Sequence, residues 1–443
     1  MAEPCDLLVT GDYALMPDMS LEPDIALAVR STRIVALGRR AEIQKAFQPD
    51  QRVEGAGKVI FPGFVDAHTH AAQQLLRGRI VDQLPMVWAR ILVPYESRLT
   101  AQEVYAGALL CCVEMIRSGF TAFAEAGGPH ADQVARAADE SGLRAVICRS
   151  TMDRGDFVPP AMRDDPSEAV AQTAELREAW DGAGKGRVRV WYSIRQIMTS
   201  TPELIQAIAE RARKDRAGLH LHLAEYPAEV NYCLTNYQRR PVEWLADLGV
   251  LESNVLAAHA ILITEREAML LSQSECRVVH CPPTNMSNNG PGKTRLLQAL
   301  GIPIALGSDG AAHYGIDPFR LMRLLKYSVQ LTQGLPVGDP SALPAVEVLR
   351  MATQGGAAAL QLEDEIGSLG VGRKADIVLI PWKQPHLWPT HKLLESLVMS
   401  AVGQEVSDVI VNGQILMRDR QFVSLNEREI IDRAAMCLKA MAG

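Results

Sequence analysis

His68-Thr69-His70 and His222-Leu223-Ala224-Glu225 each close an apolar, strand-like run, and both carry residues that bind metal. In an extended chain alternate side chains share a face, so His68 and His70 point the same way and can grip one ion. Asp309, within Gly307-Ser308-Asp309-Gly310, offers a carboxylate oxygen to the same ion. Three imidazoles and one carboxylate, from His68, His70, His222 and Asp309, leave a position for water, which is the pattern of a catalytic rather than a structural metal site. Such an ion lowers the pKa of its water to about 7 and makes hydroxide available at neutral pH. Glu225, three residues beyond His222, is placed to take that proton and hand it to a leaving group. The chemistry expected is metal-dependent hydrolysis.

Two further histidines belong near this set. His259 ends Leu256-Ala257-Ala258-His259 and is expected to orient the nucleophile and polarise the substrate, with a fifth ligand position as the other reading. His280 runs into Cys281-Pro282-Pro283 and is placed with the substrate contacts, although support of the site from behind fits it equally. Glu225 is the expected proton shuttle. No Lys ends the fourth predicted strand, where a carbamylated side chain would bridge two ions, so one divalent metal per chain is expected.

These residues need a scaffold that brings strand ends together. Short apolar strands alternate with longer helical runs at Lys58 to Val65, Thr121 to Ala126, Arg144 to Arg149, Arg187 to Ile194, Gly218 to Ala224, Asn254 to His259, Arg277 to Cys281 and Ile302 to Gly307. Helices are expected at Ala101 to Ser118, Pro202 to Lys214, Pro241 to Leu248 and Glu265 to Gln273. Eight such units close into an α/β (β/α)8 TIM-type barrel. The C-terminal strand ends then carry His68, His70, Glu125, Arg149, Arg195, Gln196, His222, Glu225, His259, His280 and Asp309, a set holding five of the chain's ten histidines. Both chain ends read as β-rich, with a hairpin at Ser31-Thr32 and an Asn412-Gly413 turn. The organisation expected is residues 1–57 and 366–443 in a small β-sandwich, the latter with a terminal helix, around a barrel of residues 58–365.

Composition narrows the partners. A net charge of -7 argues against a nucleic-acid surface, which needs a basic stripe. No apolar run reaches the roughly 18 residues that span a bilayer, and the N-terminal residues lack a secretory pattern, so a cytoplasmic protein is expected. Eight scattered cysteines need no disulfide framework. The expected partner is a small molecule, with homo-oligomerisation through the sandwich or the helix Ala101 to Ser118.

The chain resembles the amidohydrolase superfamily, in the mononuclear-metal branch that holds cytosine, guanine, 8-oxoguanine and S-adenosylhomocysteine deaminases and the s-triazine hydrolases. The resemblance rests on Pro62-Gly63-Phe64-Val65-Asp66-Ala67-His68-Thr69-His70, Leu76-Arg77-Gly78, Glu114-Met115-Ile116-Arg117-Ser118-Gly119, His222-Leu223-Ala224-Glu225, Ala258-His259, His280-Cys281-Pro282 and Gly307-Ser308-Asp309-Gly310, in that order. It implies one Zn²⁺ on His68, His70, His222 and Asp309, the same ligands also suiting Fe²⁺. It also implies that His259 and Asp309 handle protons with Glu225, and that attack falls on a ring carbon bearing an exocyclic amine with release of ammonia. Gln73 is then expected to read a ring carbonyl or amide edge, and Trp88 to stack on the substrate. Arg195-Gln196-Ile197-Met198-Thr199 stands where nucleoside-type members resemble His-x-Pro-Tyr-Thr, which points away from adenosine-like substrates. Arg195, Gln196 and His313 are taken as substrate contacts, with pairing of Arg195 to Glu125 as the scaffold alternative. The expected function is an aminohydrolase of a purine, pterin, pyrimidine or triazine. A cyclic amidase opening an imidazolone, hydantoin or lactam stays open, and a silent scaffold would have lost a ligand or Glu225.

Overall fold

The structure, a computed structural model, describes residues 2–83 and 85–442. Alternation decides how the chain ends are used. Along Ile377–Pro381, Ile377 and Leu379 enter one apolar core while Val378 and Ile380 enter another, so the strand is buried on both faces and sits mid-sheet. It pairs with Asp408–Val411 on one side and Lys58–Pro62 on the other. Glu3–Leu15, Leu21–Arg30 and Arg33–Arg39 extend the sheet from the N-terminal end, with Phe47–Val53 alongside the first of them. Gln414–Arg418 and Gln421–Phe422 complete a nine-stranded sheet drawn from both ends of the chain.

The barrel strands are β1 (Phe64–Thr69), β2 (Phe120–Glu125), β3 (Arg144–Cys148), β4 (Val188–Ile194), β5 (Leu219–Leu223), β6 (Val255–His259), β7 (Arg277–His280) and β8 (Ile304–Leu306). Each pairs in parallel with the next. The ring is drawn together just past β8, where the Asp309 N–H donates to the His68 carbonyl at 2.9 Å. The α/β barrel with a β-rich accessory sheet is therefore the architecture the sequence implied. One strand differs from expectation, since Lys58 to Val65 is two strands broken at Gly63, the first in the end sheet and the second opening the barrel. A Cβ at Gly63 would lie 1.9 Å from Thr121 Oγ1, so the chain crosses between the sheets only where it carries no side chain.

The helices that separate the strands start where local chemistry says they should. Ala101–Ser118 opens on a reciprocal Thr100 and Glu103 capping box, and Pro202–Lys214 on Thr201 followed by Pro202. Among the described residues no single helix is long and apolar enough to cross a membrane.

Candidate active site

His68, His70, His222 and Asp309 converge at the C-terminal mouth of the barrel, with one donor atom from each lying within 4.8 Å of the others. His68 Nε2 is 3.2 Å from Asp309 Oδ1, and His70 Nε2 is 3.6 Å from that oxygen. His70 Nε2 and His222 Nε2 stand 3.2 Å apart. Lone pairs aimed at one point at these distances repel unless a proton or a cation lies between them. Burial pushes His68, His70 and His222 below the ordinary imidazole value, which keeps them in the neutral form that ligates metal. Burial opposes ionisation of Asp309, but the close approach of His68 and the neighbouring His259 and His70 outweighs this and holds its carboxyl far below the usual range. Neutral imidazoles with an ionised carboxylate are the donor set a divalent ion requires.

Close packing of β1 against the segment after β8 sets this geometry. A Cβ at Gly307 would meet His68 Cβ and the His68 carbonyl at 2.8 Å, so glycine is needed where the two elements touch. Asp66 Oδ1 accepts the Ser308 N–H at 2.9 Å and the His68 N–H at 3.3 Å, tying both ligand-bearing segments to one carboxyl group. Ala224, His259 and Asp309 hold φ values of 49°, 70° and 60°, left-handed conformations that such residues rarely adopt and that collect at functional sites.

Glu225, His259 and Asp309 form a second cluster that shares the aspartate. Glu225 Oε2 is 3.6 Å from His259 Nε2. His259 Nδ1 donates to Asn285 Oδ1 at 2.9 Å, which turns Nε2 toward the cluster. Burial lowers the His259 pKa, but the carboxylates of Glu225 and Asp309 outweigh it and the net direction is up. Burial pushes Glu225 up to about 7, with His259 opposing and Asp309 reinforcing, so its carboxyl gains and loses a proton near neutral pH.

Five of the six expected substrate contacts, Gln73, Trp88, Arg195, Gln196 and His313, line one cavity of about 30 Å³ together with His70, His222, Glu225, His259 and Asp309. His280 does not line it. Its Nδ1 donates to the His259 carbonyl at 3.1 Å, so it supports the left-handed turn at His259 from behind. Arg195 is paired, but with Glu96 at 3.2 Å rather than with Glu125, and it also donates to the Gly127 carbonyl at 2.7 Å. Gln73 donates to the same Glu96 oxygen at 2.7 Å, so the Arg195 charge is already balanced within the wall and is no free cation for an anionic substrate. Glu125 instead accepts the Ala71 N–H at 2.8 Å, just past His70, and Arg149 pairs with Asp164.

Several residues that shape the site were not named from the sequence. Asn285, Glu96 and Tyr226 lie on connecting segments that carry no strand-end signal. Glu229 is fully buried and accepts the Glu225 N–H at 3.1 Å. His220 lies 2.8 Å from His68 through their ring nitrogens, and it was detectable because it alternates with His222 along β5.

The arrangement defines a hydrolase of the barrel type, and residues 59–416 match the model of the amidohydrolase family. The chain belongs to that family. It is a metal-dependent hydrolase of carbon–nitrogen bonds. It is 37% identical to a 5-methylthioadenosine/S-adenosylhomocysteine deaminase of Pelotomaculum thermopropionicum over 93% of this chain and 92% of the relative. A 5'-deoxyadenosine deaminase of Methanosarcina mazei is 34% identical over 97% of this chain and 96% of its own. Among solved structures, an adenosine deaminase of Xanthomonas campestris with bound zinc superposes with a TM-score of 0.92 at 29% identity, covering 100% of both chains.

Proposed function

We propose that this enzyme hydrolytically deaminates an adenine nucleoside altered at its 5' position. The observation that carries the reading is Glu225, His259 and Asp309 gathered beside the four donors, on the cavity that Gln73 and Arg195 also line. The names of the relatives supply the ring, and they outweigh the expectation that Arg195-Gln196-Ile197-Met198-Thr199 points away from adenosine-like substrates.

His68, His70, His222 and Asp309 would hold the ion, which we take to be zinc as in the Xanthomonas structure. When bound, it supplies the Lewis acidity that lets water ionise near neutral pH. Glu225 takes the proton from the attacking water and delivers it to the ring nitrogen beside the reacting carbon as the C–O bond forms, and the remaining hydroxyl proton passes through Glu225 to the amine, so that the C–N bond breaks, ammonia leaves and a ring carbonyl beside an N–H remains. His259 Nε2, fixed by Asn285, polarises the reacting centre, and the amide of Gln73, anchored on Glu96, reads the ring edge. Small-molecule sites measure roughly 300 Å³ or more, so the cavity has to widen to admit a nucleoside.

The eight buried, unpaired cysteines suit a reducing compartment, and we place the enzyme in the cytoplasm. Exposed Tyr327, Leu331, Leu335 and Val337 favour a homo-oligomer, which sedimentation at graded concentration would test. A small-molecule substrate rather than nucleic acid accords with the net charge of -7.

The test is ammonia release by zinc-loaded protein from S-adenosylhomocysteine, 5'-methylthioadenosine, 5'-deoxyadenosine and adenosine. Aminopterins, cytosine and aminotriazines are run beside them, with Glu225→Gln as the blank. Release from the first group alone supports the proposal. Release only from another ring overturns the nucleoside assignment, and silence with every amine turns attention to cyclic amides.

A further inference from the structure

The proton on His68 has to sit on Nδ1 if Nε2 is to face the ion, and a directed chain of hydrogen bonds behind the ring determines where that proton goes. His68 Nδ1 is 2.8 Å from His220 Nε2, with both residues buried. On its far side His220 Nδ1 is 4.0 Å from Cys148 Sγ. Cys148 Sγ in turn lies 3.9 Å from the carbonyl oxygen of Tyr192.

The direction of this chain follows from its last member. The Tyr192 carbonyl can only accept, so in the 3.9 Å contact the thiol of Cys148 is the donor, and we take its single S–H to point there. Burial holds that thiol well above its ordinary pKa, so the proton stays. The sulfur then has only lone pairs to offer, and His220 Nδ1 must be the donor toward it. His220 Nε2 is therefore unprotonated and accepts from His68 Nδ1–H, which leaves the His68 Nε2 lone pair toward Asp309 and the other donors. Reversing any one link would place the proton on His68 Nε2 and remove it from the donor set.

We infer that His220, backed by Cys148 and the Tyr192 carbonyl, is a positioning residue that locks His68 in its metal-binding tautomer. The inference rests on His68 being a ligand. Partners of this kind hold a ligating imidazole in orientation and raise its basicity, and losing one typically costs about 10–100-fold in metal affinity. Among the described residues His70 and His222 show no comparable partner on Nδ1, and the buried His70 Nδ1 has none. Of the three imidazoles in the donor set, His68 is the one with a side-chain partner on Nδ1 among the described residues.

The test measures zinc affinity by competition with a chromophoric chelator, together with the visible spectrum of the cobalt(II) form, neither of which depends on substrate. His220→Ala is expected to weaken zinc binding by about 10–100-fold and to alter the cobalt bands. His220→Gln, whose side-chain carbonyl can accept from His68 Nδ1–H, is expected to regain most of that loss. Wild-type affinity in His220→Ala, or His220→Gln no better than His220→Ala, overturns the inference. If His220→Ala does not fold, Cys148→Ala carries the test: a loss that Cys148→Ser restores supports the chain, and an unchanged affinity overturns it. His68→Ala separates the two levels. Loss of zinc there with full binding in His220→Ala refutes the positioning role alone, while unchanged binding in His68→Ala removes the ligand assignment and the inference with it.

Discussion

The two ends of the barrel both bury charge, and they treat it in opposite ways. Beside the nine-stranded sheet, Arg144 and Asp376 are 2% and 3% exposed and meet through bonds of 2.9 and 3.1 Å. The Asn412 N–H adds another bond to Asp376 at 2.7 Å, so this pair is fully occupied. At the opposite mouth, His70 Nδ1, His259 Nε2 and Asp66 Oδ2 are buried with no hydrogen-bond partner among the described residues, and Ala224, His259 and Asp309 hold left-handed backbone. Unpartnered buried polar atoms and strained dihedrals both cost stability, so a fold keeps them only where they serve something else. Charge that is completely paired reads as scaffold, and charge left incomplete around convergent donors reads as a site.

The sharpest way to break this contrast is to remove chemistry without removing packing. Glu225→Gln keeps the size of the side chain and should lower kcat by about 10²- to 10⁴-fold, with thermal midpoint and zinc content at wild-type values. A retained rate would take Glu225 out of the reaction. The converse change is Asp376→Ala, which leaves Arg144 buried and unpaired and should cost about 3–5 kcal/mol of stability in urea melts. Turnover per folded molecule should stay at the wild-type level, and a loss of kcat would mean that the two ends are coupled. Gly307→Ala lies between these cases, because its methyl group would press on the His68 backbone. It should cost about 1–3 kcal/mol and weaken zinc binding as well, measurable by melts and chelator competition on the same sample.

The same contrast explains what could be read from the sequence. His68, His70, His222, Glu225 and Asp309 were legible because strand periodicity and barrel topology bring strand ends to one mouth wherever the helices lie. The partner of Arg195 was not, because Glu96 sits on a connecting segment 99 positions away and no local pattern measures that distance. Asn285 escaped for the same reason, since its link to His259 spans 26 positions. The break between Lys58–Pro62 and β1 carried a visible signal in Pro62-Gly63, yet the apolar run on both sides hides a change of sheet. The support role of His280 depends on the turned backbone at His259, which only the folded chain displays.

The smallest predicted effect is a slope rather than a loss, and it isolates the carboxyls that support the mouth from those that react. Burial pushes Glu125 and Glu229 each up to about 8, whereas unfolded chain holds glutamate near its ordinary value of about 4.3. Between those values the folded state binds more protons than the unfolded state, so stability falls as pH rises across the window and is greatest below it. Each group contributes at most about 1.4 kcal/mol per pH unit there. Glu229→Gln is neutral at every pH and keeps an oxygen to accept the Glu225 N–H, so it should flatten the decline of the urea midpoint from mildly acidic to mildly alkaline buffer. An unchanged slope would mean that Glu229 is ionised in the folded protein. Its carboxylate would then be another charge set against Glu225, and the mouth of the barrel would carry more unbalanced charge than its hydrogen bonds indicate.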